Sequence, residues 1–220
     1  MAGACPAAPL SLTFAVVAWS TGLLLVVGCG IGWLLARRRF PGRGLLDALV
    51  TLPMVFPPIV VGYGLLLLLG QQGYLVRWLP AALRPEIVFS LPGLVIAACV
   101  AGLPMMVKPA QAAFAEIPSN LRDAAATLGD GPLACFFRVE LPLARRGIAA
   151  GLILAASRGV GEIGLSLMLG GNIVGRTETL SLAIYNQVFD GRLDCANQLS
   201  LVLVGVASLA FLLLKRYGAL

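Results

Sequence analysis

Long apolar runs separated by short clusters of charge are the first pattern along the chain. One run extends from about Leu12 to Ala36 and stops at the triplet Arg37, Arg38, Arg39. Others cover about 51–70, 87–107, 147–171 and 199–214. Each is near the roughly 20 residues that an α-helix needs to cross a hydrocarbon core. The pattern predicts an all-α membrane protein with about five transmembrane helices. The second run contains Pro57, Pro58, Gly62 and Gly64; a helix bundle can re-satisfy the backbone groups such residues free, so a kinked span is expected there.

Composition agrees with this pattern. Hydrophobic residues make up 59% of the 220 and charged residues 12%, where soluble domains carry about 25% charge. The predicted spans use most of the chain, so residues 1–220 read as one transmembrane domain. Charge sets the expected orientation. With the N-terminus outside, the inner segments hold Arg37, Arg38, Arg39, Arg43, Lys108, Arg122, Arg138, Arg145, Arg146, Lys215 and Arg216. The outer loops hold only Arg77, Arg84, Arg176 and Arg192. This asymmetry predicts a cytoplasmic C-terminus, and it explains the net charge of +6 as topology rather than as a nucleic-acid footprint. No positive side chain precedes the first run, which is longer than a signal-peptide core, so it is expected to be a retained span.

Several chemistries lack their residues. The chain has no His, which excludes a Ser-His triad or a Cys-His pair. The five cysteines, Cys5, Cys29, Cys99, Cys135 and Cys195, show no metal-site or redox spacing. No GxxxxGK[ST] stretch is present to cradle nucleotide phosphates. An enzyme is therefore not expected, nor a metal site or a cofactor bound by this chain. Any ATP the protein uses must be bound elsewhere.

The interruption from 108 to 146 is the longest predicted inner loop, and loops of that length usually carry a task. Its centre, SNLRDAAATL, reads as a short helix that Ser119 or Asn120 can cap. Gly129 ends it, Asp130-Gly131-Pro132 makes a turn, and a second helical piece, LACFFRV, is expected to stop at Leu141-Pro142. Leu121, Ala125 and Leu128 share one face of the first piece, and Leu133, Phe136 and Phe137 lie in the second. Such an apolar knob suits either a groove on a partner or the surface of the bilayer.

The stretch DAAATLGDGPLACFFRVELP resembles the EAA loop of ATP-binding-cassette importer permeases. Asp123, Ala124 and Ala125 stand at EAA, Gly129 follows at the family interval, and Val139-Glu140-Leu141-Pro142 closes the motif, with Asp replacing Glu and Val replacing Ile. The resemblance implies a coupling helix seated on a cytoplasmic ATPase subunit. Asp123 would make polar contact there, Ala124 and Ala125 would allow close approach, and Gly129 would make the turn, with Leu141 and Pro142 closing the segment. Residues 155–191 resemble the corresponding region of molybdate, tungstate and sulfate permeases. Gly161-Glu162-Ile163-Gly164, Gly171-Asn172-Ile173 with Gly175 and Thr177, and Leu182-Ala183-Ile184-Tyr185 carry that likeness. It implies an oxyanion importer, most like the molybdate branch, with tungstate and sulfate as alternatives.

Within the fourth run, Arg158 and Glu162 are spaced i, i+4 in an apolar setting where either charge alone would be costly. They read either as a packing pair or as lining or gating of an anion path. Gly147, Gly151, Ala155 and Gly159 recur on a neighbouring face and read as close helix packing, as do Gly28 and Gly32. Asn172 and Thr177 read either as a turn or as a contact for an extracytoplasmic binding protein. The resemblance further implies a second permease copy, two ATPase subunits holding ATP and magnesium, and a multi-pass location in a bacterial or archaeal-type plasma membrane. The competing class is an ion-driven secondary transporter, which needs its own coupling-ion site; Glu162 is the one carboxylate clearly within a predicted span.

Overall fold

The computed structural model describes residues 5, 8–78, 80 and 86–216; Arg84 lies outside the described residues. Among the described residues all regular structure is helical. The helices are α1 (Ala8–Arg37), α2 (Arg43–Val55), α3 (Pro58–Leu69), α4 (Leu91–Ala115), α5 (Ser119–Thr127), α6 (Pro132–Cys135), α7 (Leu141–Val160), α8 (Gly164–Gly170), α9 (Leu180–Phe189) and α10 (Leu193–Arg216). A single wide π turn, Phe136–Glu140, joins α6 to α7. Both α1 and α4 are long and apolar enough to cross a membrane, and the stretch from α6 through α7, bent by 64° into α8, adds a third candidate.

At the centre lies α4, against which α1 and α7 pack along most of their lengths, with α2 and α8 also in contact. Small residues make that approach possible. A Cβ added at Gly147 would lie 2.5 Å from Ala113 Cβ, and one at Gly151 would lie 2.9 Å from the Met106 carbonyl oxygen. Ala155 is buried, and its Cβ and carbonyl border Gly102 of α4. Gly159 faces Ala98. The four-residue repeat of α7 is therefore the α4-facing stripe. On the other side, Gly28 and Gly32 of α1 meet Met106 and Ala110. In an apolar solvent this contact is held by packing rather than by water exclusion.

Four expectations need correction. The run 51–70 is two helices, since Phe56 and Pro57 are extended between α2 and α3; Pro57 and Pro58 remove two backbone donors in a row, and the second starts the new helix. The run 147–171 breaks likewise at 161–163. The third run does not stop at Val107: α4 continues through Lys108 and Pro109 to Ala115. Lys108 remains compatible with the helix because its ammonium pairs with Asp47 of α2 at 2.6 Å. The loop after α4 is thus shorter than 108–146, and Arg145 and Arg146 belong to α7. The run at 199–214 begins earlier, at Leu193, preceded by the helix α9.

Cys5 and Cys195 form a disulfide across 190 positions of sequence. Their spacing could not reveal it. They meet because α9 contacts α1 and turns into α10, whose first turn carries Cys195. Thiol counting by mass spectrometry after alkylation is expected to find two more reactive thiols with reductant than without; equal counts would refute the bridge.

Candidate functional site

The two broken helical runs meet at their breaks. A Cβ at Gly164, the first residue of α8, would lie 3.0 Å from Pro58 Cβ and 3.2 Å from the Ile59 nitrogen, at the start of α3. Gly62 of α3 approaches Leu165 and Met168 of α8 equally closely. Arg158 and Glu162 sit at this junction. Arg158 Nη1 lies 2.6 Å from Glu162 Oε2, and Glu162 Oε1 accepts a hydrogen bond from the Leu165 backbone N–H at 2.9 Å. The Glu162 side chain is fully buried, whereas that of Arg158 is 35% exposed. Glu162 thus satisfies a free donor at the α8 start and anchors Arg158. The arrangement leaves part of the Arg158 side chain open beside interrupted backbone.

Beyond α8 the chain turns through Gly171 and Asn172, both with positive φ. Asn172 is half-buried and exchanges hydrogen bonds with Asn186 of α9, which also donates to Glu178. Thr177 is fully buried; its hydroxyl donates to the Gly170 carbonyl at 2.6 Å and accepts from the Ile173 N–H at 3.0 Å. Its side chain therefore holds the loop from within and offers no surface to a binding protein in this state. Ser181 adds a bond from its hydroxyl to the Val160 carbonyl, at the end of α7.

In the segment between α4 and α7, Gly129 has φ +89 and closes α5, as its sequence position suggests. Neither Ser119 nor Asn120 caps α5. Pro118 occupies the cap position, and the helix starts without a side-chain bond. Leu121, Ala125 and Leu128 also have different fates: Ala125 is buried, Leu121 is exposed, and Leu128 is 87% exposed. Asp123, Ala124 and Gly129 are exposed too. Leu133 and Phe137 project beside them, so the knob presents apolar side chains outward. Leu141-Pro142 does not stop the second piece. The π turn ends with the Leu141 N–H bonded to the Phe136 carbonyl, and Pro142 then falls in the first turn of α7, where its missing donor costs least. Leu141 is half-buried and Pro142 exposed.

Glu140 is a residue that sequence reasoning missed. It is buried at the end of the π turn. Its Oε1 lies 2.8 Å from Arg37 Nε of α1 and 4.0 Å from Arg122 Nε of α5, and its Oε2 accepts from Trp33 Nε1 at 2.6 Å. Phe136 packs edge-on to Trp33 and stacks on Phe114 of α4, walling the group off. The available signal was a carboxylate next to the Leu-Pro pair, with Arg37 at the end of a span.

Comparison with known proteins accords with this geometry. The chain is 41% identical to the molybdenum transport system permease protein ModB of Azotobacter vinelandii over 82% of its own length and 80% of that protein. It is 37% identical to ModB of Escherichia coli K12, covering 86% and 83% of the two chains. It is also 32% identical to the sulfate transport system permease protein CysW of a Synechocystis strain, covering 93% and 74%. Among solved structures, a chain of the MetNI methionine ABC transporter in an inward-facing form superposes with a TM-score of 0.69 at 21% identity, over 96% and 95% of the two chains. That likeness is one of fold. Residues 28–217 match the family described as binding-protein-dependent transport system inner membrane component. The chain belongs to that family: it is the permease component of an ATP-driven transporter, and not an enzyme in its own right.

Proposed function

We propose that the chain translocates molybdate, inward, as the membrane path of an importer powered by a separate ATPase. The observation that carries this reading is the junction of the two broken helices at Arg158 and Glu162, in a chain 41% identical to a molybdenum permease. Five membrane passages are assigned: α1, α2 with α3, α4, α7 with α8, and α10. The N-terminus lies outside, because the arginine cluster after α1 favours the cytoplasm and a disulfide at Cys5 favours an oxidising compartment. Exposed Met54 of α2, Phe56 of the link, and Ile59 and Tyr63 of α3 supply an apolar face for a second copy of the chain. A tetrahedral dianion delivered by an extracytoplasmic binding protein then enters between the copies. ATP binding by the two ATPase subunits, transmitted through α5 and the π turn, alternates the access.

The substrate is tested by uptake in cells expressing the complete system. Molybdate accumulation is expected to fall when tungstate competes and to persist with equimolar sulfate. Sulfate uptake that molybdate does not compete would assign the sulfate branch instead, and uptake that persists without the ATPase would favour an ion-driven transporter.

Docking of the knob makes a separate prediction. Asp123→Arg, or Leu128→Asp with Leu133→Asp, is expected to weaken ATPase association at least tenfold, about 1.4 kcal/mol. All three side chains are exposed, so the fold has little to lose. Copurification at wild-type stoichiometry by both variants would refute the docking assignment.

A further inference from the structure

The Glu140 site joins elements that must move relative to one another if the knob docks as proposed above, and the inference here rests on that reading. Trp33 and Arg37 belong to α1, Phe114 to α4, and Arg122 to α5 beside the exposed Asp123. One buried carboxylate thus serves two guanidinium groups. The nearer contact is not a closed fork: Arg37 Nε and Nη2 are buried without a hydrogen bond of good geometry, although Nε is within ion-pair distance. Arg122 faces the same oxygen, Oε1, from 4.0 Å and keeps a third of its side chain exposed. A small shift of α5 toward the π turn would bring Arg122 into contact with the oxygen that Arg37 now holds. Trp33 Nε1 donates to the other oxygen, Oε2. Because aromatic rings exclude water on one side, each ion-pair state is stabilised more than a surface pair would be. The supporting turn is of π type, a wide geometry that often marks functional positions within helices.

We propose that Glu140 is a positioning residue for transport: its carboxylate passes between Arg37 and Arg122, and so converts displacement of the coupling segment into displacement of α1. A buried pair that merely fixed the fold would need Arg37 and not Arg122. The exchange needs both, because two alternative arrangements are what allow one site to bias another.

The test uses the complete transporter in proteoliposomes, with substrate moved and ATP hydrolysed measured together. In Arg122→Gln the closer Arg37–Glu140 pair is untouched. ATPase subunits are expected to remain bound and hydrolysis to continue, while substrate moved per ATP falls about tenfold, within the usual range for site-to-site coupling. Glu140→Gln is expected to lower the same ratio at least as far. A wild-type ratio in Arg122→Gln would overturn the proposal, as would loss of ATPase binding in that variant, which would place Arg122 at the partner interface. Failure of Glu140→Gln to assemble, together with a normal Arg122→Gln, would mark Glu140 as structural and overturn it too. Failure of the docking reading is seen separately, as undiminished ATPase binding by Asp123→Arg.

Discussion

Arg158→Gln is expected to reduce substrate uptake by at least tenfold, equivalent to about 1.4 kcal/mol, with the ATPase subunits still bound. The variant removes the exposed cation at the helix junction and leaves Glu162 with only the Leu165 N–H. Stripping a partner from a buried ion costs about 3–5 kcal/mol where both groups are buried. Here the cost is smaller, since the Arg158 side chain is a third exposed. The double variant Arg158→Gln with Glu162→Gln separates the two readings of the pair. It removes both charges, so a pair that only fixes packing predicts nearly normal uptake. A cation lining the path predicts that uptake stays low although thermal stability recovers. Glu162→Gln alone leaves a cation that is already a third exposed, and it is expected to melt closer to wild type than Arg158→Gln. Normal uptake by the double variant would remove Arg158 from the path.

The second large effect concerns the fold. Gly151→Leu is expected to lower the apparent Tm in detergent by roughly 6–12 °C, from about 3 kcal/mol of overpacking. The added Cβ alone would meet the Met106 carbonyl oxygen at 2.9 Å and its sulfur at 3.2 Å. The sulfur can step aside; the carbonyl cannot without moving α4. Gly30→Leu is the control, because nothing lies within 4 Å of its added Cβ and the position is exposed on α1. Its Tm is expected to stay near wild type. Equal melting of the two variants would mean that the α4–α7 contact does not limit stability.

The turn that closes α5 was legible because its signals are local: Gly129, left-handed in the structure, followed by Asp130-Gly131-Pro132. The stripe on α7 was legible for the same reason, since a four-residue repeat defines a helix face without knowledge of its partner. What failed was reading long-range compensation. Lys108 looked like a helix end because its counter-charge, Asp47, is 61 positions away. Thr177, open in sequence between a turn and a binding-protein contact, is resolved as holding the turn, because its hydroxyl bonds the carbonyl of Gly170 at the end of α8. Glu140 was passed over because its partners, Arg37 and Trp33, come from α1. The helix breaks fell between these cases. Prolines and glycines marked their neighbourhood, but only packing of Gly164 on Pro58 shows that the two breaks coincide.

Met106 is fully buried and touches the glycine faces of two helices at once, Gly28 through Cγ and Gly151 through its sulfur and carbonyl. No neighbour can grow without this side chain shrinking, and it cannot branch while both glycines have no space to give. Positions 28, 106 and 151 therefore share a single allotment of volume among three helices. Across divergent relatives positions 28 and 106 should drift in concert, with a residue such as Ala or Ser appearing at 28 where 106 has become smaller than Met, while 151 stays Gly against the backbone carbonyl of residue 106.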